Sequence, residues 1–337
     1  MVSIGVIGSG AWGTTLALLL AKKGLSTTLW EHNAERAIAM QKQRENVLFL
    51  PGCSFPDILR VTGDIAEATQ HKDLLLLVTP SQRTRANLRL LAPYIGKETI
   101  IISASKGIEM SKLKRMTEVI AEEIPGIESR LGTLSGPNLS REVAAEQPTA
   151  AVVAAFNHQT AVRARDLLTT AYFRVYTSQD VTGVELGGAL KNIIAIGAGI
   201  NDGLGYGENA KAAFMTRGLA EISRLGVAAG ANPLTFLGLA GIGDLIATCA
   251  SPLSRNQQLG RLLASGEKLD AILQSTHSVA EGVSTTRAAL QLAARYNVEM
   301  PITHQLSLVL FEGLDPHKAV PELMMRDPKS ELEGLTF

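Results

Sequence analysis

The sequence predicts an α/β chain, a doubly wound sheet domain over residues 1–180 followed by an all-α domain over residues 181–337. Three observations point there. Apolar β-type segments alternate with helical segments through the first half of the chain. After about Asp180 the strand signal disappears and only helical segments follow. A glycine-punctuated turn, Ile4-Gly-Val-Ile-Gly8-Ser9-Gly10-Ala11-Trp12-Gly13, sits at the extreme N-terminus between a strand and a helix. A length of 337 residues is enough for two domains that each bury a core.

Val2–Ile7 reads as a short buried strand, Ala11–Lys23 as a helix apolar on most faces, and Leu25–Trp30 as a second strand. Further strands are expected at Leu59–Thr62, Asp73–Thr79, Glu98–Ser103, Leu131–Ser135, Pro148–Ala154 and Phe173–Tyr176. Helices are expected between them at Ser81–Leu91, Lys112–Glu122 and Gln159–Thr170. Leu74-Leu-Leu-Leu-Val78 and Thr99-Ile-Ile-Ile102 are apolar throughout, as in a parallel sheet covered on both faces. The second half reads as helices at Val181–Ile200, Asn209–Ala229, Ser254–Ser265, Val279–Ala294 and Ile302–Phe311.

Gly8, Gly10 and Gly13 have the G-x-G-x-x-G spacing of a Rossmann-like dinucleotide site. The first glycine makes the tight turn, the second lets a pyrophosphate approach the backbone, and the third lets helix and strand pack closely. The helix N-terminus then offers free N–H groups to the anion. The bland alternative is a plain tight turn between strand and helix. A carboxylate after the second strand, here Glu31, normally hydrogen-bonds the NAD ribose and repels the 2′-phosphate of NADP, which favours NAD slightly and leaves NADP usable. His32 falls close to the same ribose.

Lys+Arg and Asp+Glu are equal at 32 each, so no global basic footprint exists for nucleic acid or an anionic membrane. No uninterrupted apolar run reaches the roughly 18 residues of a bilayer span. The first strand begins within a few residues of Met1, leaving no room for a signal peptide. Cys53 and Cys249 make no disulfide framework and suit a reducing cytoplasm. The six histidines have no ligand spacing, so no metal is expected.

Ligands of open parallel sheets bind beyond the carboxyl ends of the strands. That rule selects the loops Thr79-Pro80-Ser81, Ser103-Ala-Ser-Lys106-Gly107 and Ser135-Gly-Pro-Asn138. Lys106 follows an apolar strand directly and would point into the crevice, unless it merely decorates a solvated loop. In Val184-Glu185-Leu-Gly187-Gly188-Ala-Leu-Lys191-Asn192-Ile-Ile194, a lysine and an asparagine are embedded in an apolar helix. Gly187 and Gly188 cost helix stability, which close approach by another backbone or a ligand would explain. Lys191 either snorkels to the surface or is held where its pKa can fall.

In Gly241-Ile-Gly-Asp244-Leu-Ile-Ala-Thr248-Cys-Ala-Ser251-Pro-Leu-Ser254-Arg255-Asn256, Asp244 and Thr248 share a helical face. Ser254, Arg255 and Asn256 open the next helix and together offer a hydroxyl, a guanidinium fork, an amide and free N–H groups, a set that suits a phosphate. A serine N-cap with a surface arginine is the commoner meaning of that pair. Cys249 has no adjacent histidine and reads as a packed small residue rather than a nucleophile.

The chain resembles the soluble NAD(P)-dependent glycerol-3-phosphate dehydrogenases of bacterial type, which supply glycerol 3-phosphate for phospholipid synthesis. The likeness runs from Ile4 to roughly Arg326. It is carried by Gly8-Ser-Gly-Ala-Trp-Gly13, Ser105-Lys-Gly107, Ser135-Gly-Pro137, Phe173-Arg-Val-Tyr176, Gly187 to Gly199, Thr216-Arg-Gly-Leu-Ala-Glu221, Gly243-Asp-Leu245 and Ser254-Arg-Asn256. The resemblance implies that Lys191 is the proton acceptor and that Lys106 contacts both cofactor and substrate. It places Gly136, Asn138, Asp244, Ser254, Arg255 and Asn256 at substrate-binding positions. Ser9, Trp12, His32, Ser140, Arg255, Val279 and Glu281 fall at its cofactor-binding positions, and the family is typically dimeric. The chain departs from the pattern where Asn138 replaces a hydroxyl residue, Leu139-Ser140 replaces Phe-Ala, and Glu31 replaces a glycine.

The expected enzyme is then a cytoplasmic homodimer that moves a hydride between NAD or NADP and a small phosphate substrate, with no nucleic-acid or membrane partner. Asp244 and Asn192 would orient Lys191, Lys106 would polarise the developing oxyanion, and Arg255 with Asn256 would hold the phosphate. Two rivals remain at this point: a two-domain hydroxyacid dehydrogenase acting on a carboxylate, and a nucleotide-sensing protein without turnover.

Overall fold

The computed structural model describes residues 2–275, 280–328 and 330–331. The chain divides into two compact units, one made of Met1–Ser105 and Met116–Val181, the other of Lys106–Arg115 and Thr182–Phe337.

The first unit is built on strands β1 (Ser3–Ile7), β2 (Ser26–Trp30), β5 (Leu59–Thr62), β6 (Leu74–Leu77), β7 (Ile100–Ser103), β10 (Leu131–Ser135), β11 (Thr149–Ala155) and β12 (Phe173–Ser178). A short hairpin, β3 (Glu45–Asn46) with β4 (Leu50–Ser54), lies beside them in sequence. The eight strands form one sheet in the order β12-β11-β10-β7-β6-β1-β2-β5. Helices α1 (Ala11–Lys22), α2 (Ala34–Gln43), α3 (Ile65–Thr69), α4 (Thr84–Leu91), α5 (Met116–Glu123), α6 (Ser140–Ala144) and α7 (His158–Leu168) connect them.

Six strands run parallel, but β11 pairs antiparallel with β10 and parallel with β12, so two strands are reversed. Composition could not reveal this, because β11 is as apolar as its parallel neighbours and its core residues are just as buried. Leu74 and Leu76 belong to one core with Leu16, Leu20 and Phe173, while Leu75 and Leu77 belong to another with Leu88, Val119 and Ile120. A sheet covered on both faces therefore needs leucine at every position of β6, which is the run seen in the sequence.

The expected helix at Lys112–Glu122 starts only at Met116. Residues before it form a hairpin, β8 (Ile108–Glu109) with β9 (Lys114–Arg115), and Leu113 has φ +56°, which no α-helix contains. Helix α2 carried too weak an apolar pattern to be expected, burying only Ala37 and Met40. The side chain of Asn33 caps it by accepting the Arg36 N–H.

In the second unit, α8 (Val181–Gly203) is surrounded by α9 (Glu208–Ala228), α10 (Asp244–Ala250), α11 (Arg255–Ala264), α12 (Leu269–Ser275), α13 (Glu281–Tyr296), α14 (Pro301–Phe311) and α15 (Pro316–Met324). Among the described residues from 182 onward there is no strand. The β8–β9 hairpin contributes Ile108 to the same core as Leu190, Ile193 and Ile194 of α8. Helix α8 is long and apolar enough to cross a bilayer, yet its whole apolar window is buried inside the protein, as the central helix of a helical unit must be. Glu221 of α9, in the Thr216–Glu221 motif, closes the N-terminus of α14. Its carboxylate accepts the N–H of Ile302 at 2.6 Å, the N–H of Thr303 at 3.2 Å and the Thr303 hydroxyl at 3.1 Å.

Candidate active site and nucleotide cradle

In the first unit the turn between β1 and α1 is shaped as its glycines require. Gly8 has φ +116°, and a Cβ on Gly13 would lie 1.8 Å from the Gly8 carbonyl oxygen, so neither accepts a side chain. A Cβ on Gly10 would meet nothing within 4 Å, so the space beside this residue is open. Gly10 opens α1 with no side-chain cap, leaving the first N–H groups of the helix unbonded by any side chain. The buried indole Nε1 of Trp12 also lacks a partner. An open cradle, an uncapped helix start and an orphaned donor fit the pyrophosphate of a dinucleotide.

Asn46, which sequence reasoning missed, locks this turn from the β3–β4 hairpin. Its amide donates to the Ser9 carbonyl at 2.7 Å and to Thr14 Oγ1 at 2.8 Å. The hairpin carries no strong pattern, so no signal marked it. Glu31 stands at the end of β2 as expected, but it is buried and faces inward, where the Ser9 hydroxyl, the Asn33 N–H and Arg36 all donate to it. Burial alone would raise its pKa, and these bonds together with the Arg36 charge reverse that and hold it below the usual carboxylate range. His32 is exposed, with Nδ1 3.0 Å from Glu31 Oε1.

Ser140 opens α6 and its carbonyl accepts from Thr15 Oγ1 at 3.1 Å, tying that helix to α1. Gly136 turns the chain after β10 with φ +127°. Both polar atoms of the Asn138 side chain are buried without a hydrogen-bond partner from the protein.

The second unit gathers the charged chemistry. Lys191 of α8 and Lys106, just before the β8–β9 hairpin, both donate to the fully buried carboxylate of Asp244, Lys106 at 2.6 Å to Oδ2 and Lys191 to Oδ1. Lys191 also donates to Thr248 Oγ1 at 2.5 Å, and that hydroxyl donates to the Asp244 carbonyl at 2.7 Å. An ammonium has three protons, so two bonds leave one free. Lys191 is 6 % exposed, so it does not snorkel. Thr248 shares the face of Asp244, as the helical spacing indicated, but its bond to the lysine was not expected; Asn192, expected to orient Lys191, pairs with Asn256 instead.

Gly187 lies one turn before Lys191, and a Cβ there would sit 2.5 Å from the Ala240 carbonyl oxygen. The segment that approaches so closely is a wide turn, in which Gly243 N–H reaches Gly238 O at 3.2 Å, and it leads directly into Asp244. The glycine is thus explained by backbone approach, which brings Asp244 against α8.

Two ammonium groups on one carboxylate leave the cluster net positive. Burial lowers the pKa of Lys106; Asp244 opposes this, the Lys191 charge adds to it, and the result is about 8. Asn192 and Asn256 are paired, Asn256 Nδ2 donating to Asn192 Oδ1 at 3.0 Å, while the Gly282 N–H reaches Asn256 Oδ1 at 3.1 Å. These bonds link α8, α11 and α13 next to Lys191. Ser254 is the N-cap of α11, its hydroxyl accepting the Gln257 N–H at 3.3 Å. Arg255 is exposed at the first position of that helix, near enough to Glu281 of α13 to feel its charge. Val279 lies outside the described residues. Cys249 is fully buried and its thiol is pushed up to about 12, which makes it an inert packing residue. Among the described residues no group of His, Cys, Asp and Glu could hold a metal ion.

A lysine pair on a buried carboxylate in one unit and a dinucleotide cradle in the other are the parts of a dehydrogenase. Residues 3–161 match the family model of the NAD-dependent glycerol-3-phosphate dehydrogenase N-terminus, and residues 180–321 match that of its C-terminus. The chain belongs to this family. It is 50% identical over 335 residues to the glycerol-3-phosphate dehydrogenase [NAD(P)+] of Syntrophotalea carbinolica, covering 98% of this chain and 100% of that protein. The crystal structure of glycerol-3-phosphate dehydrogenase from Coxiella burnetii superposes with a TM-score of 0.91 at 38% identity, covering 96% of this chain and 99% of that one. A D-mandelate dehydrogenase structure is similar with a TM-score of 0.63 at 13% identity over 94% of this chain and 99% of that one, a likeness of fold alone.

Proposed function

We propose that this chain interconverts sn-glycerol 3-phosphate and dihydroxyacetone phosphate with NAD or NADP, and that Lys191 exchanges the hydroxyl proton. The buried Lys191–Asp244–Lys106 cluster carries this reading. A bound NAD or NADP would supply or accept the hydride. Asp244 and Thr248 fix the Lys191 ammonium by two bonds and leave its remaining hydrogen for the substrate oxygen. Lys106, cationic at neutral pH, opposes the negative charge that develops on that oxygen, and a buried site makes such a charge effective. Arg255, with the α11 N-terminus and Asn256, would hold the substrate phosphate. Gly8, Ser9, Gly10, Trp12 and Gly13 would hold the pyrophosphate side of the cofactor, with His32 and Ser140 as its further contacts in the same unit.

Lys191→Met tests the reading. It should lower kcat by roughly 10²–10⁴-fold, the usual share of general acid–base catalysis, while NADH affinity stays within about threefold because the cradle belongs to the other unit. A variant that keeps more than about a tenth of wild-type kcat would pass the role to Lys106. A wild-type enzyme that reduces a 2-oxo acid faster than dihydroxyacetone phosphate would overturn the substrate, and one that turns over neither would be a nucleotide sensor. Sensing needs no buried base, so the Lys191–Asp244–Lys106 cluster argues for turnover. The balanced charge, the two free cysteines and the burial of α8 within its own unit support a soluble cytoplasmic protein supplying glycerol 3-phosphate for phospholipid synthesis.

A further inference from the structure

We propose that Arg36, rather than Glu31, reads the 2′ position of the adenosine ribose, and that it admits NADP by taking the 2′-phosphate. This rests on the cofactor reading above and names the residue that decides between its two forms. Sequence position points to Glu31, whose free carboxylate would bond a ribose hydroxyl and repel a phosphate. The structure turns that carboxylate inward. Its side chain is 2% exposed; one oxygen accepts from Ser9, and the other from the Asn33 N–H at 2.8 Å and Arg36 Nη2 at 2.6 Å.

The group that faces outward at this point is the guanidinium. The Arg36 side chain is 38% exposed, and Nη2, the nitrogen that holds Glu31, lies 3.4 Å from both ring nitrogens of His32. Its Nε–H is buried and has no hydrogen-bond partner. The Nε–Nη2 edge of the planar fork is thus turned toward Glu31, while Nη1 makes no hydrogen bond to the described residues and keeps donors of the kind by which arginine takes phosphate oxygens. The Glu31–Arg36 pair is neutral as a unit, so it refuses neither cofactor form. A ribose hydroxyl meets no desolvated charge, and a 2′-phosphate meets the cation before the carboxylate behind it. Glu35, exposed in the first turn of α2, is the one other carboxylate of that turn and is free to swing into solvent.

The test is the ratio of two dissociation constants, read by cofactor fluorescence without substrate, so it does not depend on which substrate the enzyme turns over. Arg36→Met should raise the Kd for NADPH at least about tenfold, the loss of one charge-assisted contact plus exposure of the Glu31 charge, and leave the Kd for NADH within about threefold. The steeper salt dependence of NADPH binding should fall to that of NADH in the same variant. Both constants staying within about threefold of wild type overturns the proposal. If Arg36→Met weakens both forms alike, Arg36→Lys decides, because it keeps the charge and loses the fork. Weakened NADPH alone in that variant supports the assignment, and equal loss of both overturns it.

Discussion

Lys106 is the residue whose protonation an assay can follow. Its pKa of about 8 lies below the ordinary 10.5, chiefly because burial disfavours the ammonium. It is cationic below about pH 8 and neutral above, so its help to the developing oxyanion should fade as pH rises through that value. The kcat/KM for dihydroxyacetone phosphate reduction, which reports groups of the free enzyme, should therefore decline above about pH 8. Lys106→Arg, which stays charged, should be slower overall but lose that decline. A wild-type profile flat to about pH 10 would remove Lys106 from the oxyanion role. The linkage to stability has the opposite slope, since between about pH 8 and 10.5 the unfolded chain binds the extra proton and folding gains as pH rises. At this scale the sequence showed that Asp244 and Thr248 share a helical face and that Lys191 has apolar neighbours, but it left the lysine open between the surface and a buried site. The inward turn of Glu31 was not legible, because it depends on donors from Ser9, Asn33 and Arg36 that only the folded loop brings together.

Among the elements, α8 with its Gly187 is the part on which the cluster depends. The Cβ of an alanine there would meet backbone, the Ala240 carbonyl at 2.5 Å, which cannot rotate away as a side chain could. Gly187→Ala should cost about 1–3 kcal/mol as an overpacked core does, seen as a fall of several degrees in Tm. Because the displaced segment leads into Asp244, kcat should fall at least about tenfold with little change in NADH affinity. Full activity with a lowered Tm would show that the close approach serves packing only. The sequence marked Gly187 as costly to a helix, yet the partner that explains it lies some fifty residues on, beyond any periodic signal. The β8–β9 hairpin was likewise illegible. Its second strand runs directly into α5 at Met116, and the left-handed backbone of Leu113 lies within the hairpin just before that strand.

For the whole molecule the expected state is a homodimer, and sedimentation should give twice the 35.8 kDa of one chain. A single-chain mass at micromolar concentration would overturn that. Local order along the chain determined the most: the β1–α1 glycine turn, the doubly covered sheet strands, the long apolar α8 and the change from alternating strands to helices near Asp180. Each rests on spacing within a few residues, which period and glycine sterics fix before any tertiary contact exists. Only the tertiary structure decided the direction of β11 and β12, the assignment of the hairpin at 106–115 to the helical unit, and the meeting of Lys106 with Lys191 on one carboxylate. Strand direction leaves no trace in the composition of a strand buried on both faces. A salt-bridged cluster drawn from positions 106, 191 and 244 exists only once the chain between them has closed.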